Sequence, residues 1–448
     1  MFRTGAQLMF FTLIVGTVLT RESGRDPLKA ADERFVDFLA ANARRKEVQP
    51  PVAVVAIDDI SLREHPRPWT PGDYALFFNA ANSFRPEFLA TDEILDWDAA
   101  KLPPENQQTF AQYAQLLREN LRKSPRVLLG AELSFPEDAD RLPPLESIAG
   151  LRHVTGNVAA IPEFRVIEFQ AAEDLRLASV QGFSTLPKAT GSTRSIPLVL
   201  RYCGQVVPTF VLQAAMLWEK VTPDEVEVVL GQHISLGGRI NIPIDEAGRM
   251  RVNLAVPFDK CSFEDLVVSA EQREAKSRTV IPAGLLSDKA VLLTRTDRDT
   301  PLISIALDRP RPRGELFALA LGTIQTRAFI HAPPIWTNWA IVAFFTIAAG
   351  FVPWLRRSQT VILGLVAILA VSVAALALIG MKLLAVPVVV PVGLSLFLII
   401  ARLLTPDSRR DKLPVPAPEP AKKASQPTPP AAAEKEAPRE PVKESANP

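Results

Sequence analysis

Several short apolar runs in this chain end in acid. Asp58 and Asp59 follow the run Val52 to Ile57, Asp92 and Glu93 follow "EFLAT", Glu132 ends "RVLLGAE", and Asp297 closes "KAVLLTRTD". Carboxylates gathered in one crevice could hold a divalent cation, an amine or sugar hydroxyls. Two arginines could answer such acids. Arg194 lies in the loop "KATGSTRS", where a guanidinium can clamp a carboxylate, and Arg249 lies in the turn "DEAGRM", which also carries Asp245. The candidate ligand-binding residues are Asp58, Asp59, Asp92, Arg194, Asp245 and Arg249. Each has a plainer alternative, since aspartate caps helices and starts turns. Either arginine could likewise form a purely structural salt bridge to the strand ends.

Catalysis finds little footing. An aspartate after an apolar strand resembles the haloacid dehalogenase type of phosphoryl-transferring hydrolase, but that pattern needs D-x-D and position 60 is Ile. No P-loop, G-x-S-x-G or Ser-His-Asp arrangement accompanies it, so no enzyme is expected. His65, His153, His233 and His331 are scattered, and Cys203 and Cys261 belong to no C-x-x-C. No zinc site and no cofactor are expected. In an oxidising compartment the two cysteines could pair; otherwise they are two separate thiols. The net charge of +1 and the lack of a basic stripe exclude nucleic acid.

The elements that must position these residues alternate. "VAVVAID" reads as a strand and "DYALFFNAANSF" as a helix burying Tyr74, Phe77, Phe78 and Ala81. "EFLATDEIL" is a second strand, and "TFAQYAQLLRENLRK" a helix with Phe110, Tyr113, Ala114 and Leu117 on one face. "RVLLGAEL" is a third strand; "KAVLLTRTD" and "ELFALALGTIQTRAF" repeat the pair later. This rhythm predicts an α/β fold with a mainly parallel sheet covered by helices. A parallel sheet presents its carboxyl ends along one edge, where ligands of open α/β folds bind. "DEAGRM" is a turn between two strands, with Pro243 at an edge or a strand start.

The apolar residues are unevenly spread. Thr4 to Thr20, between Arg3 and Arg21, is long enough for an uncleaved membrane anchor, with a cleaved signal peptide as the rival reading. "WTNWAIVAFFTIAAGFVPWL" (336–355), "TVILGLVAILAVSVAALALIG" (360–380) and "LLAVPVVVPVGLSLFLIIA" (383–401) follow as three uncharged segments. The expected membrane part therefore has four helices. Arg356, Arg357, Arg402, Arg409 and Arg410 orient it with those residues in the cytoplasm. The long segment between the first two helices then lies outside, although Arg21 and Arg25 weigh against this. Residues 405–448 have a Pro/Ala/Lys/Glu composition that cannot bury enough apolar surface to fold. They are expected to be a disordered tail without an output domain.

Several phrases in order resemble the CHASE2 domains, extracytoplasmic sensory domains of bacterial membrane receptors. "VVAIDDISL" is similar to the family's I-D-x-x-S-L opening, "PRPWTP" to its W-P-rich loop, and "LATDEIL" to its D-I-L-F strand end. Gly182, Phe183, Gly191, Arg194, Pro197 and Leu198 fit a second segment; Pro243, Asp245, Gly248, Arg249 and Asn253 fit a third. The resemblance runs from about residue 30 to 332. Two places depart from it: "LLTRTD" lacks the glycine of the family's V-G-x-T-A, and Phe317 replaces the histidine of G-V-x-x-H-A.

The domains expected are an anchor (1–25), an extracytoplasmic sensory domain (26–335), three membrane helices (336–404) and the tail (405–448). The resemblance implies a signal-input protein of the bacterial inner membrane that binds an unknown small molecule. It implies a cytoplasmic or membrane signalling partner and a homodimer, though no heptad pattern demands one. The alternative is a structural or protein-interaction component of the envelope that senses nothing.

Overall fold

Val52–Ile57 forms a strand, β1, in which all six residues are buried. A strand without alternation must be covered on both faces, and it is. The computed structural model describes residues 2–22, 31–32, 34–36, 38, 48–97, 104–134, 150–187, 193–305, 309–331, 336–382 and 388–405. The main sheet also contains β2 (Phe88–Thr91), β3 (Val127–Ser134), β4 (Val166–Phe169), β5 (Val180–Phe183), β6 (Asp259–Ser262) and β7 (Ala290–Arg295). Its order is β6-β1-β7-β2-β3-β4, with β5 also on β3. Every pairing is parallel except that of β3 with β4, where the register shifts between Glu132 and Leu133.

The longer helices among the described residues are α1 (Phe2–Glu22), α2 (Pro71–Asn82), α3 (Pro104–Lys123), α4 (Phe210–Glu219), α5 (Phe263–Glu274), α6 (Arg313–Gln325), α7 (Trp336–Phe351), α8 (Arg357–Lys382) and α9 (Val389–Leu404). The strands alternate between two cores. Ala53, Val55, Ile57, Leu89, Leu129, Val291 and Leu293 face α2, α3 and α5; Val52, Val54, Phe88, Ala90, Leu128 and Leu292 face α4 and α6. A capping box starts α2, with Thr70 and Asp73 bonded reciprocally and Pro71 in the first turn. Its Tyr74, Phe77, Phe78 and Ala81 are buried, as their spacing predicts. On α3 the deeply buried residues are Leu117 and Leu121, while Tyr113 is exposed. Of the expected face, Leu117 is buried and Phe110 and Ala114 are half-buried, so only Tyr113 departs from it.

Smaller sheets extend the α4/α6 side. "DEAGRM" joins Ile240–Pro243 to Arg249–Arg251, but these strands do not pair with each other. The first pairs with His233–Leu236 and the second with Ser195–Pro197. Gly248 turns the chain at φ 72°, and a Cβ there would lie 2.3 Å from Val199. Pro243 ends an edge strand rather than starting one. Both cysteines are free, Cys203 exposed and Cys261 buried.

Among the described residues three helices, α1, α7 and α8, are long and apolar enough to cross a membrane. The expected fourth is shorter within the described residues: α9 has 16 residues, and 383–387 lie outside them. Leu8 of α1, Val342, Phe345 and Ala349 of α7, and Val390, Leu394 and Leu398 of α9 form one apolar cluster. The two helices that flank the sheet domain in sequence thus pack against each other. Residues 403–448 form a separate unit, and the tail beyond Thr405 lies outside the described residues.

Phe317, at the departure from histidine, stacks on Phe210 with ring centroids 5.2 Å apart, joining α6 to α4. Phe317→Ala should destabilise the protein by about 3–5 kcal/mol, read as a lowered thermal midpoint of the full chain. Leu177→Ala, at a residue 85% exposed, should leave the midpoint nearly unchanged.

Candidate functional site

The parallel strands β1, β7, β2 and β3 deliver their carboxyl ends to one edge in that order. Asp58, Arg295, Asp92 and Glu132 consequently stand along it. Between β7, β2 and β3 the edge opens into a cavity of about 330 Å³, lined by Asp92, Glu93, Glu132, Arg295 and Arg313 among others.

Arg313 is the hub. Its Nε donates to Asp92 Oδ2 at 3.1 Å and its Nη2 to the Asp92 carbonyl at 3.0 Å, while Nη1 bonds Glu132 Oε1. A guanidinium fork suits this work, since it can engage two carboxylates in fixed directions. The residue after it explains how the fork gets there. A Cβ at Gly314 would fall 2.1 Å from Thr294 Oγ1, so only glycine lets the start of α6 come this close to the end of β7.

The flanking acids are held in pairs. Glu93 accepts from Arg67 Nη2 at 2.6 Å. Burial raises the Glu93 pKa, and neighbouring Asp92 adds to the rise against the pull of Arg67. Arg295 engages both oxygens of Asp297, at 2.9 and 2.8 Å, and Thr300 donates to the same carboxylate at 2.6 Å. Burial opposes ionisation there, but Arg295 and Thr300 outweigh it and bring the Asp297 pKa down to about 2.

The residues singled out from the sequence fall in three places. Asp92 lines the cavity. Asp58 and Asp59 share its sheet edge but lie across the end of β7 and serve local structure. Asp58 Oδ1 accepts from Ser61 N at 2.9 Å, Ser61 Oγ at 2.8 Å and Ser262 Oγ at 3.0 Å. Burial works to raise its pKa, and these bonds outweigh it and lower the value. Asp59 is exposed and accepts from Arg298 N at 3.2 Å. Arg194, Asp245 and Arg249 do not line the cavity. Asp245 Oδ1 accepts from the Ala247 and Arg249 amides at 3.0 and 2.8 Å, which makes it the turn residue of "DEAGRM". Arg249 sits on the strand beside Ser195–Pro197 with its Nε buried and unbonded.

The arginines that meet the acidic strand ends are Arg67, Arg295 and Arg313, none of them named from the sequence. Arg295 carried a signal, because it ends an apolar strand two residues before an acid. Arg67 and Arg313 carried none: 26 and 221 residues separate them from the acids they meet. The departure "LLTRTD" also has a consequence here, since Thr294 and Arg295 put side chains into the cavity wall.

A family model described as the CHASE2 domain matches residues 10–351. The chain belongs to the CHASE2 family. CHASE2 is a sensory domain family, and the match takes in most of α1 and all of α7 along with the sheet domain. No curated protein and no solved structure matches the chain.

Glu93 supplies a signed prediction for this CHASE2 crevice. Its folded pKa lies above its unfolded value, so its contribution to stability is fully present below the usual glutamate range and is lost as pH rises through the folded pKa. Glu93→Gln should therefore raise the thermal midpoint at pH 7. The gain should shrink as pH falls through the raised folded pKa and be gone below about 4.5, the ordinary glutamate value. Melting curves of both proteins across that range check it.

Proposed function

We propose that this CHASE2 protein is a membrane-anchored signal-input protein whose ligand sits in the strand-end crevice beneath Arg313. The observation that carries the reading is a sensory-family domain with a cavity at the carboxyl edge of its parallel sheet, the place where α/β folds take ligands. The same domain is bounded by two apolar helices, α1 and α7, that pack together. In this reading α1, α7, α8 and α9 all enter the inner membrane of a bacterium, with residues 26–335 outside and 405–448 in the cytoplasm. Arg356, Arg357, Arg402, Arg409 and Arg410 support that orientation.

The crevice connects to the membrane through α6. This helix carries Arg313 at its start and leads onward to α7 at Trp336. A ligand changes the packing of α7 against α1 only if it binds two arrangements of the domain with different affinity. In this reading the signal passes to a partner, through the helices or residues 405–448. No enzymatic activity is proposed.

Topology has a built-in probe. A membrane-impermeant thiol reagent should label exposed Cys203 in cells with a permeabilised outer membrane, while buried Cys261 reacts only after denaturation. Cys203 protected until the inner membrane is lysed would reverse the orientation. Sensing is tested by thermal shift of the full chain in detergent against divalent cations, amines, sugars and nucleotides. A raised midpoint that Asp92→Asn abolishes is the expected result. A folded chain indifferent to the whole panel, yet recovered in a stable envelope complex, would favour a scaffold instead.

A further inference from the structure

Asp92 is 5% exposed, and one of its oxygens has nothing to bond. Oδ2 is held by Arg313, but Oδ1 is buried without a hydrogen-bond partner, on a residue that lines the cavity. A buried acceptor left unsatisfied, more so one on a carboxylate, marks a missing donor.

The charges say what kind of donor. Asp92, Glu93 and Glu132 line the cavity with Arg295 and Arg313, while Arg67 and Asp297 pair directly with lining residues. Four carboxylates face three guanidinium groups, so one negative charge is left over. Both lining arginines are already committed, Arg295 to Asp297 and Arg313 to Asp92 and Glu132. An anion would have to break one of these pairs. Sugar hydroxyls could bond Oδ1 but would leave the charge. A divalent cation needs several free oxygens around it. Among the described residues no cluster of three or more His, Cys, Asp or Glu side chains could hold a metal ion. The rest of the wall includes Leu186, Pro301 and Ile303, which offer apolar surface to a carbon body.

We propose that the cavity binds a small organic monocation, a primary ammonium on a compact apolar body, with the ammonium donating to Asp92 Oδ1. The assignment rests on the crevice being the sensing site, and it names the ligand class of that site.

The test compares two probes of one shape on the full-length protein at constant ionic strength: cyclohexylmethylammonium chloride and cyclohexylmethanol. Two cavity-filling variants, Ile303→Trp and Leu186→Phe, leave every ion pair intact and guard against either one failing to fold. The ammonium should raise the thermal midpoint and bind at least tenfold more tightly than the alcohol. That response should vanish in whichever filled variant melts cooperatively. Equal responses to both probes, lost in the filled variants, would overturn the monocation assignment while leaving the crevice as a binding site. An ammonium response that survives filling would place binding elsewhere and overturn the proposal. Silence towards both probes would overturn it too. If sugars or nucleotides then still gave a shift that Asp92→Asn abolishes, the crevice would remain the sensing site with a different ligand class.

Discussion

A parallel sheet cannot bring acidic strand ends together without something to neutralise them. Here the solution is one guanidinium. Arg313 spans Asp92 at the end of β2 and Glu132 on β3, and it does so from the first residue of α6. Removing Arg313 would leave the buried Asp92 carboxylate uncompensated, which costs far more than the pair itself is worth. The arrangement therefore fixes where α6 docks, and Gly314 is the steric condition for that docking. The crevice exists because α6 starts over the sheet edge while the loop through Thr300 to Ile303 closes its side.

Much of this was legible in the chain. Fully apolar runs such as Val52–Ile57 announced strands covered on two faces, and the helical spacing of Tyr74, Phe77 and Phe78 announced what covers one of them. The ordering of strand, helix and strand implied that Asp58, Asp92 and Glu132 share an edge. Which acids serve a cavity and which serve a turn was not legible. Asp58 and Asp92 both follow an apolar strand, yet Asp58 meets Ser61 and Ser262, while Asp92 meets a residue 221 positions away. Local sequence records the Ser61 contact, three residues on, and has no means of recording Ser262 or Arg313, 204 and 221 positions away from the acids they meet. Asp245 and Arg249 stand beside each other because a turn holds them there, and neither lines the cavity.

The departures from the family pattern take on physical meaning in the fold. Phe317 adds an aromatic stack to the core between α4 and α6, where an imidazole would have needed a polar partner. Thr294 and Arg295, in the strand end "LLTRTD" that lacks the family's glycine, supply side chains to the crevice wall. These changes alter the site's lining and the packing of the helix that leads from it. They leave the carboxyl edge and its acids in place.

The central claim is that ligand binding acts on the strand-end crevice and is felt through α6. Amide hydrogen exchange of the full chain in lipid nanodiscs tests it most directly. It would be measured with and without the compound that most raises the thermal midpoint. The account predicts new protection centred on residues 92–95, 130–134, 294–303 and 311–316, with a smaller change at the start of α7. Protection confined to other surfaces, with those four segments unchanged, would contradict it.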